Sequence, residues 1–499
     1  MISNNALDPN LRNTGFSLPA LFSRMRMGAM LRRCGFSKRS GASPADLLST
    51  VLIAVLSGCR NIWEFFESRA SMGCGASRDA AYRFLKDPRH NWDALLLRMA
   101  VFVCGFYKSL EPEDEKRVHA LIADDTPIER PRVKKCQCAF RLHNHVSGQK
   151  FKGYLQLSIG WSDGVSYVPV ADAITGSLKE RHVVAQRQAP SRDGRTACAK
   201  ARADMASKTK PQVLVERVGR ALKAGIDAQY LLADSWYFSD DLFDAMEKMG
   251  LGVITMAKSS VMFGEIKGCR RSSQERLRAR AAGAVPVRKQ EVLTMIAFTK
   301  AGRRVRLVFV TKRGKPDEFI TLVCTDCSLT AEEIIRLYSR RWMIEIRFKA
   351  QKQWLGLGSE CQGHLFETVH SQMIISSMRY MLLELNRRIE KDPRSFCSCC
   401  RSIREEMREI PYREAMHSLV LLISSLPKRL LDKGIVTARQ AGEIEDEIIE
   451  LLGERLSGVY DYIRQFMGPI KKLAAKSKSH LKEPERRSGL AAQPFQAEN

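Results

Sequence analysis

Four side chains of complementary chemistry stand at fixed intervals late in this 499-residue chain: Tyr338, Arg341, Glu345 and Lys352. On a helix turning about 100° per residue they fall within an arc of roughly 60°. One face then carries a phenol, a guanidinium, a carboxylate and an ammonium. Such a face can be a set of solvated intrahelical ion pairs. It can also be a metal-ligating carboxylate with phosphate clamps beside it. Trp342, Ile344, Ile346, Phe348 and Trp354 crowd the rest of the circumference, which predicts a helix packed on most sides and favours the second reading. Thr330 and Glu333 form a capping-box pattern ahead of the helix, and nothing breaks it before about Trp354.

Metal chemistry of this kind needs more than one acid. The runs Leu121-Ile122-Ala123-Asp124 and Leu231-Leu232-Ala233-Asp234 both read as short apolar strands ending on an aspartate. In open α/β sheets, the carboxyl ends of parallel strands are where ligand sites form. Asp124, Asp234 and Glu345 would repel one another unless cations filled the space between them. Hard oxygen ligands suit Mg²⁺ or Mn²⁺. Two such ions can activate a nucleophile and stabilise the leaving oxygen of an in-line phosphoryl displacement. The neighbouring Asp125 is an alternative first ligand; Asp124 is preferred because it follows Leu-x-Ala, as Asp234 does.

The spacing Tyr338-x₂-Arg341-x₃-Glu345-x₆-Lys352, with the two upstream aspartates, resembles DDE transposases of bacterial insertion sequences, in the branch with a Y-R-E-K signature. The likeness runs from about residue 40 to 390. It implies a ribonuclease-H-like core with a β-rich insertion ahead of the glutamate. It also implies cut-and-paste transposition by metal-dependent strand cleavage and strand transfer, with Asp124, Asp234 and Glu345 holding two Mg²⁺ or Mn²⁺ ions. Tyr338, Arg341 and Lys352 would grip transposon-end phosphates, Trp342 would pack within the site, and Phe263 or Phe298 would hold a flipped base. Double-stranded DNA is the implied partner, engaged by a homodimer. Two rivals are a ribonuclease-H-like nuclease without strand transfer and a catalytically inactive, domesticated DNA-binding protein.

Composition agrees with a polyanionic partner. The chain has 81 Lys and Arg against 55 Asp and Glu, a net charge of +26, and 44% hydrophobic residues. Neutralising phosphates releases counterions, so the surplus points to nucleic acid before a membrane. The N-terminus has no secretory pattern, and the most apolar stretch, Leu95 to Phe106, is too short to span a bilayer and carries Arg98. A cytoplasmic protein of the bacterial nucleoid, with reduced thiols among its 14 cysteines, is expected.

The organisation expected is α/β: a ribonuclease-H-like core with a β-rich insertion, a helical N-terminal DNA-binding region and a helical C-terminal region. Residues 1–42 read as a loose basic arm, and 43–110 as short helices, helix-turn-helix-like, with Arg78, Arg83 and Lys86 towards DNA. The core occupies 111–259, the insertion 260–325, and the catalytic helix lies in 326–390. Helices and a basic tail fill 391–499. Lys179 to Lys210 reads as an exposed basic loop.

Overall fold

The structure is a computed structural model. It describes residues 16–68, 71, 74–112, 117–143, 148–184, 194–287, 290–360, 363–408 and 425–455. Residues 1–411 form one compact unit and 412–499 a second.

The first unit is built on a ten-stranded sheet: β1 (Ala120–Glu129), β2 (Phe140–His143), β3 (Lys150–Ser162), β4 (Tyr167–Thr175), β5 (Tyr230–Ala233), β6 (Gly252–Ala257), β7 (Ala282–Gly283), β8 (Val292–Phe298), β9 (Arg304–Lys312) and β10 (Lys315–Cys324). Its order is β2-β3-β1-β5-β6-β10-β9-β8-β7, with β4 also paired to β3. β1, β5 and β6 run parallel, whereas β3 is antiparallel to both β1 and β4. The β-rich insertion adds to this same sheet, because β10 pairs antiparallel with β6.

Helices cover both sides, and the period-2 alternation of the strands decides which residue meets which side. On β1, Leu121 and Ala123 join a core with Met99, Val218 and Phe243, from helices Trp92–Lys108, Lys210–Lys223 and Asp240–Glu247. Ala120 and Ile122 join the opposite core with Ile334, Leu337, Ile344 and Phe348, from helices Ala331–Ser339 and Trp342–Trp354. The helix Phe366–Ile389 is buried along almost its whole length. No described helix is long and apolar enough to cross a membrane.

Several expectations change. The arm expected over 1–42 is, from residue 18, two helices, Leu18–Arg24 and Met27–Arg33, whose Leu18, Leu21, Met27 and Leu31 are buried in the first core. Arg24, Arg32 and Arg33 lie on the faces turned outward, so a basic composition masked an amphipathic pattern. Part of the supposed loop at 179–210 is a helix, Ala197–Ser207, with Cys198, Ala199, Ala201 and Met205 buried; small side chains let it pack closely. Helices Pro44–Leu56, Ile62–Glu67 and Arg78–Lys86 follow the sequence signals, the first through a capping box between Ser43 and Asp46. Arg83 and Lys86 are exposed, while Arg78 pairs with Glu67 and stacks over Trp63.

Residues 396–408 are helical and belong to the first unit. Among its described residues, the second unit comprises helices Leu426–Asp432 and Ala438–Arg455, packed on each other. Of the helices and basic tail expected over 391–499, residues 409–424 and 456–499 lie outside the described residues.

Candidate active site

Asp124 does not end its strand. β1 continues to Glu129 because β3 pairs with it throughout, from Ala120 opposite Ser162 to Glu129 opposite Gly153. What ends at Ala123 is the parallel pairing with β5, whose last register pair is Ala123 with Ala233. Asp124 and Asp234 each follow that pair, on strands about 4.8 Å apart. The two carboxylates therefore stand side by side where β1 and β5 part.

The helix carrying Glu345 crosses this position. Arg341 donates to Asp124 at 2.9 Å and to Glu345 at 2.7 Å, so one guanidinium spans the two carboxylates. The Asp124 and Arg341 side chains are 17% and 16% exposed, against 35% for Glu345. Burial pushes the Asp124 carboxyl up to about 7; Arg341 opposes this, and Asp125 and Asp234 add to it. Tyr338 lies under the Arg341 guanidinium, 5.8 Å from ring centroid to carbon. Burial pushes its phenol up to about 12, Arg341 pulling it down and Asp234 pushing it up. Two turns beyond Glu345, Lys352 donates to Thr126 at 2.7 Å. Thr126 lies two residues beyond Asp124, on the same face of β1.

These residues come together through a backbone unlike the expected single helix. Helices Ala331–Ser339 and Trp342–Trp354 meet at Arg340 and Arg341, where the amides of Arg340, Arg341 and Met343 bond three residues back instead of four. The chain tightens there with no glycine or proline to mark it. The Thr330–Glu333 capping box does start the first helix. The packing expected around the second is partial: Ile344 and Phe348 are buried, but Trp342 is 60% and Ile346 46% exposed. Trp342, expected to pack within the site, is thus mostly in solvent, because the helix covers the sheet with only one side. Of the two insertion aromatics, Phe263 is buried in a small core with Leu277 and Ala297, so its ring is not free to hold a base. Phe298 is partly buried.

Asp125 faces the other way. It accepts from Lys210 at 2.9 Å and from the Tyr237 hydroxyl at 3.1 Å, on the side of the first core. Among the described residues, no three His, Cys, Asp or Glu side chains are gathered tightly enough to hold a metal. Asp124 and Glu345 are held together through Arg341, which stands between them. The donor set still suits a hard cation: adjacent carboxylates, one held up to about 7, with a guanidinium already bound among them.

One feature of this face carried no expectation. Asp124 is the register partner of Ser158 on β3, and Ser158 that of Asp172 on β4. Asp172 receives Arg347, two residues beyond Glu345, and both side chains are wholly buried. The available signal was an acid inside the apolar run Tyr167–Thr175 and an arginine between Ile346 and Phe348.

Residues 67–314, a little under half of the chain, match the family model described as DDE superfamily endonuclease. This segment is thus similar to nuclease- and transposase-type enzymes that act on DNA. The match covers Asp124 and Asp234 and ends before Glu345. No protein of curated function matches the chain.

Proposed function

We propose that the chain is a DDE transposase of the Y-R-E-K branch, cutting and rejoining DNA at the ends of an insertion sequence. One observation carries the reading: Arg341 ties Asp124 to Glu345 at the point where Asp124 stands beside Asp234. The strand order β4-β3-β1-β5-β6, with β3 antiparallel and β5 and β6 parallel to β1, supports a ribonuclease-H-like core.

Asp124, Asp234 and Glu345 would hold the divalent ions, Mg²⁺ or Mn²⁺. When bound, these supply activation of a water or 3′-hydroxyl and charge neutralisation at the reacting phosphate. The opposite orientation of Asp125 favours Asp124 as first ligand. Arg341, released from the carboxylates, would bind a phosphate oxygen through its fork. Lys352 holds its ammonium at Thr126 and would take the next phosphate along the strand. Tyr338 backs the Arg341 guanidinium and can donate its phenolic proton, which burial keeps in place.

DNA as the partner is supported by charge. Between Glu129 and Asp163 the sequence has seven Lys and Arg and no acid. Arg132, Lys134, Lys135, Arg141 and Lys150 are exposed there, just past the end of β1 that carries Asp124 and Thr126. That surface would track a phosphate backbone away from the reacting bond. Two DNA ends must be joined, so the working form proposed is a homodimer on DNA in the bacterial cytoplasm.

The test is a transposition assay with paired end sequences and a target plasmid in Mg²⁺. Joined products are expected from the wild-type chain. Asp234→Ala and Glu345→Ala are expected to abolish cleavage while leaving DNA binding. Cleavage surviving both changes would sink the site. Cleavage without joining would leave a nuclease, and binding without cleavage an inactive DNA-binding protein.

A further inference from the structure

We infer that Arg347 and Asp172 act as a buried strut that sets the position of Glu345 over the aspartates. The inference rests on the site proposed above and assigns a positioning role to residues that never touch substrate.

Arg347 is 0% exposed and sends a fork into the sheet. One terminal nitrogen reaches both oxygens of Asp172, each at 2.9 Å, and the Ser377 hydroxyl at 2.6 Å. The other donates to Ser158. Asp172 is closed in turn by the hydroxyls of Ser158 and Ser377 and by Gln156 at 2.9 Å. Gln351, one turn further along, bonds Ser376 and Ser377 of the helix Phe366–Ile389 at 2.9 Å. The segment Trp342–Trp354 is thereby pinned to β3, β4 and a second helix at once.

An apolar contact would hold this helix to the sheet equally well and at lower desolvation cost, since a buried ion pair is weak support for stability. It would not define position as sharply. Aliphatic side chains tolerate sliding or turning, whereas a planar guanidinium whose two terminal nitrogens are divided between a carboxylate and two hydroxyls fits one placement. Slippage by a single residue would turn Glu345 by about 100° and shift it by about 1.5 Å. Asp172, Ser158 and Asp124 are successive register partners across three strands. The strut therefore anchors the helix to the same row of the sheet that carries Asp124, two residues from the side chain it must place.

Removing one partner alone would leave a bare buried charge and destabilise the chain whatever its role in positioning. The informative variant is the double change Arg347→Met with Asp172→Asn, which removes both charges at similar volume. Its readouts are thermal melting, DNA binding in EDTA, and calorimetric titration of the full chain with Mn²⁺. Melting near wild type, unchanged DNA binding and about 10–100-fold weaker Mn²⁺ affinity are expected, the range seen when groups supporting metal ligands are lost. A folded double variant with wild-type Mn²⁺ affinity would overturn the inference. If the double variant fails to fold, Arg347→Lys, which keeps the charge and drops the fork, must show the same weakening, and equal affinity overturns the strut. Wild-type protein taking up no Mn²⁺, or taking it up unchanged after Glu345→Ala, would count against the site itself. In that event amide exchange decides: faster exchange across 342–354 alone in the double variant supports the strut, and equal rates refute it.

Discussion

Asp124 and Asp172 lie in one row of one sheet with β3 between them, and each meets an arginine, Arg341 at the start of the helix Trp342–Trp354 and Arg347 within it. Their surroundings differ. Asp172 is fully buried, with both oxygens filled by Arg347, Ser158, Ser377 and Gln156. Asp124 stays 17% exposed, shares its arginine with Glu345, and has Asp234 as neighbour just past the end of β5. The saturated acid has no capacity left for a ligand and can only hold the framework. The other sits among like charges with a burial-raised proton affinity, as the proposed cation site requires. An acid's chemistry is thus decided by the bonds its surroundings leave unmade.

The contrast can be broken experimentally, beginning with the site. Asp124→Asn, Asp234→Ala and Glu345→Ala are each expected to lower Mg²⁺-dependent cleavage by on the order of 10³-fold or more, about 4 kcal/mol in barrier. Melting temperature should hold or rise for Asp234→Ala, which relieves repulsion on Asp124, and fall slightly for Asp124→Asn and Glu345→Ala, which each remove a bond to Arg341. Asp172→Ala should behave inversely: denaturant titration should show a loss of about 3–5 kcal/mol, since Arg347 is left uncompensated in the interior.

Smaller effects sharpen the picture. Lys352→Ala and Tyr338→Phe should slow cleavage by roughly 10-fold to 100-fold at saturating Mg²⁺, the scale of one lost charge-assisted bond. Asp125→Asn should leave cleavage within about tenfold of wild type, its contacts with Lys210 and Tyr237 being on the other side of the sheet. A fall as deep as that of Asp124→Asn would reverse the assignment of the first ligand. Lys134→Gln with Lys135→Gln should leave single-turnover cleavage of saturated complexes intact. The slope of log affinity for DNA against log salt should fall by about one for each phosphate contact removed.

Much of this is legible in the sequence, for reasons that separate local from distant causes. The capping box at Thr330, the strand ending at Ala233 and the helix Trp92–Lys108 are written in neighbouring residues. The grouping of Tyr338, Arg341 and Glu345 was readable even though two helices meet among them, because Arg341 at the junction still reaches both neighbours. Asp124 looked like a strand end because apolar residues stop there; the strand goes on because β3 supplies partners that no local pattern announces. The pairing of Arg347 with Asp172 spans 175 residues and leaves no periodic trace. Helix Ala197–Ser207 was obscured for another reason: alanines bury well while looking neutral in any reading weighted towards large apolar groups.

The ladder joining β10 to β6 has a mechanical result. Thr255 of β6 is paired with Val323 of β10, and its hydroxyl grips the main-chain oxygen of Asp234 at 3.0 Å. A segment built in this way is an extension of the sheet and not a separate flap: its strands connect through the ladder to Thr255 and so to the main chain of Asp234.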